Sequence, residues 1–114
     1  MKRAFSILAV TAALFATHAA AATEHTVLIL PDAYFPQITY VSSGDTVRFI
    51  NMSGQEHDVI AEGEAWAIED IQDTSEAVIS ITSDMEATFY NKNSSNDGSY
   101  QVQGEFSFDA APLN

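Results

Sequence analysis

The sequence predicts an all-β protein, an antiparallel β-sandwich of seven or eight short strands. Three observations carry that expectation. Short β-branched and aliphatic runs recur at regular spacing, with turn-forming residues between them. No stretch sustains the apolar stripe of an amphipathic helix. Once a leader of 22 residues is set aside from the chain of 114, the 92 that remain suit one domain of ordinary size.

The leader comes first in chain order. Lys2 and Arg3 precede the apolar run from Phe5 to Phe15, and Ala19 to Ala22 follow, which is the layout of a secretory signal peptide over residues 1–22. The apolar run is shorter than the roughly 20 residues that a membrane span needs. The expectation is a protein exported to the periplasm or secreted, with residues 23–114 as its mature domain. Ala19-Ala20-Ala21 and Ala20-Ala21-Ala22 both satisfy the small-x-small rule, so cleavage after Ala21 and cleavage after Ala22 both stand. The chain has no Cys, so this domain holds together by its core without disulfides.

Within the domain, His25 to Leu30 is a β-branched and aliphatic run stopped by Pro31 and Asp32. Gln37 to Ser42 alternates and ends at the turn signal Ser43-Gly44-Asp45. Thr46 to Asn51 alternates again, with Val47 and Phe49 on one face and Arg48 on the other. The two runs read together as a hairpin. His57 to Ala61 is the next strand. The acidic stretch from Glu62 to Asp73 has no clean period and room for one helical turn, with Trp66 and Ile68 plugging the core from a loop. Ala77 to Thr82 and Ala87 to Asn91 are two further strands, separated by Ser83 and Asp84. Asn91 to Ser99 is a polar loop of residues that tolerate left-handed backbone. Tyr100 to Val102 and Glu105 to Phe108 close the chain.

Charge limits the partners. Removing the leader removes Lys2 and Arg3, leaving Arg48 and Lys92 against all 16 acidic side chains, two against sixteen or −14. Nucleic acid and anionic membrane are poor partners for such a surface. A cation or a cationic protein is the complementary one, with an attraction that weakens as salt rises.

Several features occur in a fixed order: the aromatic-Pro turn at Phe35-Pro36, the Gly44-Asp45-Thr46-Val47 turn, and Asn51 followed by His57. Phe89-Tyr90, a loop and a terminal strand led by Gly104 complete the series. From His25 to Phe108 this order resembles the small cupredoxins of the plastocyanin and amicyanin kind. The resemblance implies an antiparallel Greek-key β-sandwich over nearly all of residues 23–114. It also implies that His57 falls on the first copper-ligand position, and that the loop between Tyr90 and Gly104 is where Cys, His and Met would be supplied. That loop offers none of the three, and counting back from Gly104 places Val102 where the axial Met would stand. A blue-copper centre needs a thiolate beside its imidazoles, so the resemblance implies a frame whose copper site is degenerate.

Copper has two other routes. Met52 lies five positions before His57 in the same connection, and thioether with imidazole favours Cu(I). Cleavage after Ala22 would begin the mature chain Thr23-Glu24-His25, and an amine with His at the third position suits square-planar Cu(II); cleavage after Ala21 spoils that chelate. The metal-ligand candidates are therefore His57, Met52 and His25. Asn93, Ser95, Asp97 and Gly98 echo the start of an EF-hand, but its twelfth position is Gly104 and not an acid. No Gly-rich phosphate loop or Cys nucleophile is present, and two mature His leave little for a triad, so the chain is not expected to be an enzyme.

The sequence thus supports an exported cupredoxin-like binding protein with a degenerate blue-copper site, binding copper weakly through His57. The alternatives are a metal-free interaction domain docking a basic partner through its acidic surface, and an electron-transfer cupredoxin with an unusual site.

Overall fold

The computed structural model of the protein describes residues 22–91 and 102–113. Nine strands lie among them: β1 (Glu24–Leu30), β2 (Ala33–Phe35), β3 (Ile38–Tyr40), β4 (Thr46–Asn51), β5 (His57–Ala61), β6 (Ala67–Ile71), β7 (Glu76–Ser80), β8 (Thr88–Asn91) and β9 (Gln103–Ser107). They form two facing sheets, one in the order β2-β1-β4-β7 and the other in the order β3-β9-β8-β5-β6. The expected β-sandwich is the observed one. The sheets are mixed: β1 runs parallel to β4 and β3 parallel to β9, while the other pairs are antiparallel.

One expectation is overturned. The runs either side of Gly44 do not form a hairpin, because β3 pairs with β9 in one sheet and β4 pairs with β1 and β7 in the other. The turn instead carries the chain across the sandwich. Gly44, at φ 95°, permits the sharp reversal, and Val41 stays on the β9 side through its N–H to the Ser107 carbonyl at 2.8 Å. A tight turn and a sheet-to-sheet crossing share the same turn residues, so composition does not separate them.

Two strands were not expected. β2 occupies the aromatic-Pro turn, and β6 lies inside the acidic stretch. There the period-2 pattern is broken by a register shift between His57 and Val59 on the partner strand and by Asp70 at φ 60°. The helical turn expected in that stretch is a single 3₁₀ turn, Glu62–Glu64. The Asn91–Ser99 loop, the EF-hand echo and most of the Tyr100–Val102 run lie outside the described residues.

Alternation places the core. In β4, Val47, Phe49 and Asn51 face inward and Arg48 outward; in β5, His57, Val59 and Ala61 face inward. Between the sheets Tyr34, Phe49, Phe89 and Phe106 meet edge-on or tilted, with ring centroids 4.9–6.4 Å apart. Trp66 stacks on Phe106 at 5.9 Å, and its indole N–H donates to the Glu86 carbonyl at 2.8 Å. Gly104 pairs with Phe89 across β8 and β9, and a Cβ there would clash with the Cε2 and Cζ edge of the Phe89 ring. This close approach is what requires glycine. Among the described residues, no helix is long and apolar enough to cross a membrane.

Candidate functional site

His57 opens β5, and strand alternation turns its imidazole into the sandwich, where the residue is 1% exposed. The Tyr34 hydroxyl of β2 lies 3.3 Å from Nε2, a hydrogen bond whose donor depends on the imidazole tautomer. The two rings meet edge to face at 5.9 Å. Among the described residues, Nδ1 is buried with no hydrogen-bond partner. Burial strips the imidazolium of its hydration and lowers the His57 pKa from 6.5 to about 4, against a weaker upward pull from Asp58. Burial also pushes the Tyr34 hydroxyl up. Both groups are neutral at physiological pH.

Asn51 fixes the connection that delivers His57. Its side chain is fully buried and fully bonded: Nδ2 donates to the carbonyls of Gln55 and Ile71, both at 2.8 Å. Oδ1 accepts from the Ser53 N–H at 3.0 Å and the Ser53 hydroxyl at 2.7 Å. The Gly54 N–H donates to Asp73 Oδ1 at 3.0 Å. Residues 51–57 are thus pinned to the end of β6 and the turn that follows it. The sequence marked Asn51 as a strand end and as a feature of the resemblance, but not as the clamp of this connection. The signal that could have found it is Asn-x-Ser-Gly, where a short amide takes over the hydrogen bonds of a turn.

The other candidate ligands do not converge on His57. Met52 follows inward-facing Asn51, so its thioether lies on the outer side of the sheet, 56% exposed. Val102, where the resemblance places the axial ligand, is buried at 8% exposure and carries no donor. His25 sits near the start of β1, four residues or about 13 Å of strand before Ile29, which is level with Asn51. Its Nε2 lies 2.8 Å from Asp45 Oδ2. The backbone there already runs alongside β4, with Glu24 and His25 paired to Thr46 and Val47, so the three-residue wrap of a square-planar chelate requires the start of β1 to come away.

A carboxylate group that the sequence did not reveal flanks His57. Glu56, Asp58 and Asp70 bring ligand oxygens within 4.8 Å of one another, and Asp58 Oδ1 accepts the Asp70 N–H at 2.8 Å. The β5–β6 pairing assembles it, which is why spacing alone did not show it. Arg48, the one Lys or Arg among the described residues, is held between Glu24, at 2.9 Å, and Glu76. It therefore offsets none of the remaining acids.

The donor set does not fit a blue-copper centre. One buried imidazole nitrogen is unpartnered, but the chain has no thiol, Val102 replaces the thioether and Met52 faces away. No protein-family model and no curated protein matches the sequence. Solved structures do match. An oxidised point mutant of amicyanin is 19% identical with a TM-score of 0.50, over 72% of this chain and 78% of that one. A dithionite-reduced auracyanin from the photosynthetic bacterium Roseiflexus castenholzii is 16% identical with a TM-score of 0.50, over 75% and 98%. The chain has the cupredoxin fold. At these identities the likeness shows the cupredoxin fold and nothing finer.

Proposed function

We propose that this cupredoxin-fold protein is an exported binding module that does not carry electrons through blue copper, and that its acidic surface docks a cationic partner. The observation that supports this reading is the closed state of the His57 end: a neutral, 1%-exposed imidazole bonded to Tyr34, with a valine where a thioether would be needed. The working surface then lies elsewhere. Glu56, Asp58, Glu62, Glu64, Glu69 and Asp70 gather along β5, β6 and the 3₁₀ turn between them, at the edge of the five-stranded sheet. Charges on an edge strand also discourage edge-to-edge pairing with another chain, so the face suits a soluble charged partner.

Copper titration of processed protein, with Cu(II) and with Cu(I) under reductant, tests the first half. The expected outcome is no intense visible charge-transfer band; such a band would overturn it. Calorimetry with a lysine-rich peptide tests the second half. Binding should weaken steeply with salt and be lost in Glu69→Gln/Asp70→Asn, whereas salt-independent binding or none would overturn it.

A second reading, weak copper binding through His57, is favoured by one observation, the buried and unpartnered Nδ1. It predicts copper binding that His57→Ala abolishes.

A further inference from the structure

Asp45 is the most heavily bonded carboxylate of the described residues, at the end of the sandwich away from His57. Its Oδ2 lies 2.8 Å from His25 Nε2 and accepts the Ser42 N–H at 2.9 Å; its Oδ1 accepts the Thr23 N–H at 3.1 Å. The backbone of the same two residues is tied as well. The Thr46 N–H donates to the Thr23 carbonyl at 3.0 Å, and the Ile81 N–H donates to the Asp45 carbonyl at 2.8 Å. Asp45 is 8% exposed, while Ala22 and Thr23 lie at the surface. The carboxylate thus joins the start of β1 to the crossing turn, and the main-chain carbonyl of the same residue ties that turn to Ile81, just after β7.

The nitrogen that meets Oδ1 belongs to the peptide bond after Ala22, one of the two bonds at which the leader motif permits cleavage. We propose that the leader is cut between Ala22 and Thr23, and that the freed α-ammonium of Thr23 is received by Asp45 as an ion pair formed on maturation. Water supplies the chemistry, delivered by a leader-removing peptidase: its hydroxyl adds to the Ala22 carbonyl carbon, the C–N bond breaks, and Thr23 leaves as an amine. At neutral pH the new carboxyl releases its proton and the amine takes one up.

The site suits the charged product better than the amide it replaces. The carboxylate is held well below its ordinary range by His25 first, and then by the N–H groups of Ser42 and Thr23, so it is ionised when the ammonium forms. Cleavage keeps the Thr23 nitrogen in place and converts a hydrogen bond from a neutral amide to the carboxylate into an ion pair between two charged groups. Retaining Ala22 moves the ammonium one residue outward, about 3.8 Å along the chain, and leaves a plain amide at Asp45. The other titratable groups around the same cleft are Tyr40, in β3, and Asp109, after β9. Asp109 adds negative charge, which also favours the ammonium.

The sign of the pH effect follows. An α-amine paired in the fold has its pKa raised above the ordinary value of about 7.7, so its contribution is complete below that pH and is lost as pH rises through the higher folded value. Three measurements test the proposal. Intact mass of protein exported from cells expressing the full chain should begin at Thr23; a product retaining Ala22 overturns the cleavage site while leaving export intact. Proteins released from a fusion to begin at Thr23 or at Ala22 should differ at pH 6, the Thr23 form melting several degrees higher, and should converge at high pH. The Thr23 amine, followed by pH-dependent labelling, should titrate at least about one unit above the ordinary value. Asp45→Asn should abolish both differences, and acetylation of the Thr23 amine serves the same purpose if that variant does not fold. Equal melting at pH 6 with an ordinary amine titration overturns the ion pair.

Discussion

Between pH 7 and pH 4.5 the largest single loss of stability should come from His57. His57 is neutral in the fold, with a pKa of about 4, and charges at about 6.5 when the chain unfolds. Between those values the unfolded chain binds more protons than the folded one, so stability rises with pH across the window. The contribution of His57 is complete above pH 6.5 and is lost progressively as pH falls towards 4. The gap between 6.5 and about 4, at about 1.36 kcal/mol per pH unit, amounts to about 3 kcal/mol in full, of which about 2.5 kcal/mol is gone by pH 4.5. That is a large fraction of the roughly 5–14 kcal/mol expected for a domain of this size. The assay is urea unfolding at pH 7 and pH 4.5, followed by the fluorescence of Trp66, the single tryptophan, which stacks on Phe106 in the core. His57→Leu removes the titration and keeps similar volume; His57→Leu/Tyr34→Phe also removes the hydroxyl that the first change leaves unpaired. Subtracting the variant from the wild type cancels the titrations they share, including those of Asp45 and Glu24. Equal losses between pH 7 and pH 4.5 in wild type and variants would refute the reasoning.

Two packing predictions stand beside it. Gly104→Ala drives a methyl into the Phe89 ring, and should cost about 1–3 kcal/mol in urea unfolding, with Phe89→Leu restoring part of the loss. Asn51→Ala removes the amide that donates to the carbonyls of Gln55 and Ile71 and frees the 51–57 connection. It should cost about 2–4 kcal/mol, with faster amide exchange at Ser53 and Gly54, and an unchanged exchange pattern would show that Asn51 is not the clamp.

What was legible in the sequence follows from how each feature is encoded. The inward aspect of Val47 and Phe49 was readable because alternation in a strand is local. The partner of each strand was not. Ser42 to Asp45 looks the same whether the chain folds back or crosses the sandwich, and only the pairing of β3 with β9 and of β4 with β1 decides it. β6 escaped because Asp70 at positive φ interrupts its pattern, and the Glu56, Asp58 and Asp70 group escaped with it. Asp45 read as an ordinary turn residue, since nothing near it in sequence announces the amide of Thr23, 22 positions earlier. His57, Met52 and His25 were each readable as donors, but not that His57 faces the core, Met52 the solvent and His25 the other end of β1.

The unpartnered Nδ1 of His57 separates the two readings of function. An unsatisfied buried nitrogen costs about 1–3 kcal/mol, so a metal-free protein should lose little at pH 7 when His57→Leu/Tyr34→Phe removes that nitrogen together with its hydrogen-bonded partner. If instead Nδ1 holds copper, the ion binds the folded chain and not the unfolded one, and it raises stability by RT ln(1 + [Cu]/Kd), about 2.7 kcal/mol at one hundred times Kd. Wild type should then gain stability on adding copper at pH 7, and the gain should vanish in the double variant. The gain should also fade towards pH 4, where protons compete for the imidazole. A gain that survives loss of His57 places the ion elsewhere: at the Glu56, Asp58 and Asp70 carboxylates if Asp70→Asn removes it, or at the amino terminus if His25→Ala does. No gain in any form leaves the acidic edge as the working surface. In that case Tyr34 and His57 serve to specify the packing of β2 against β5 by a single internal hydrogen bond.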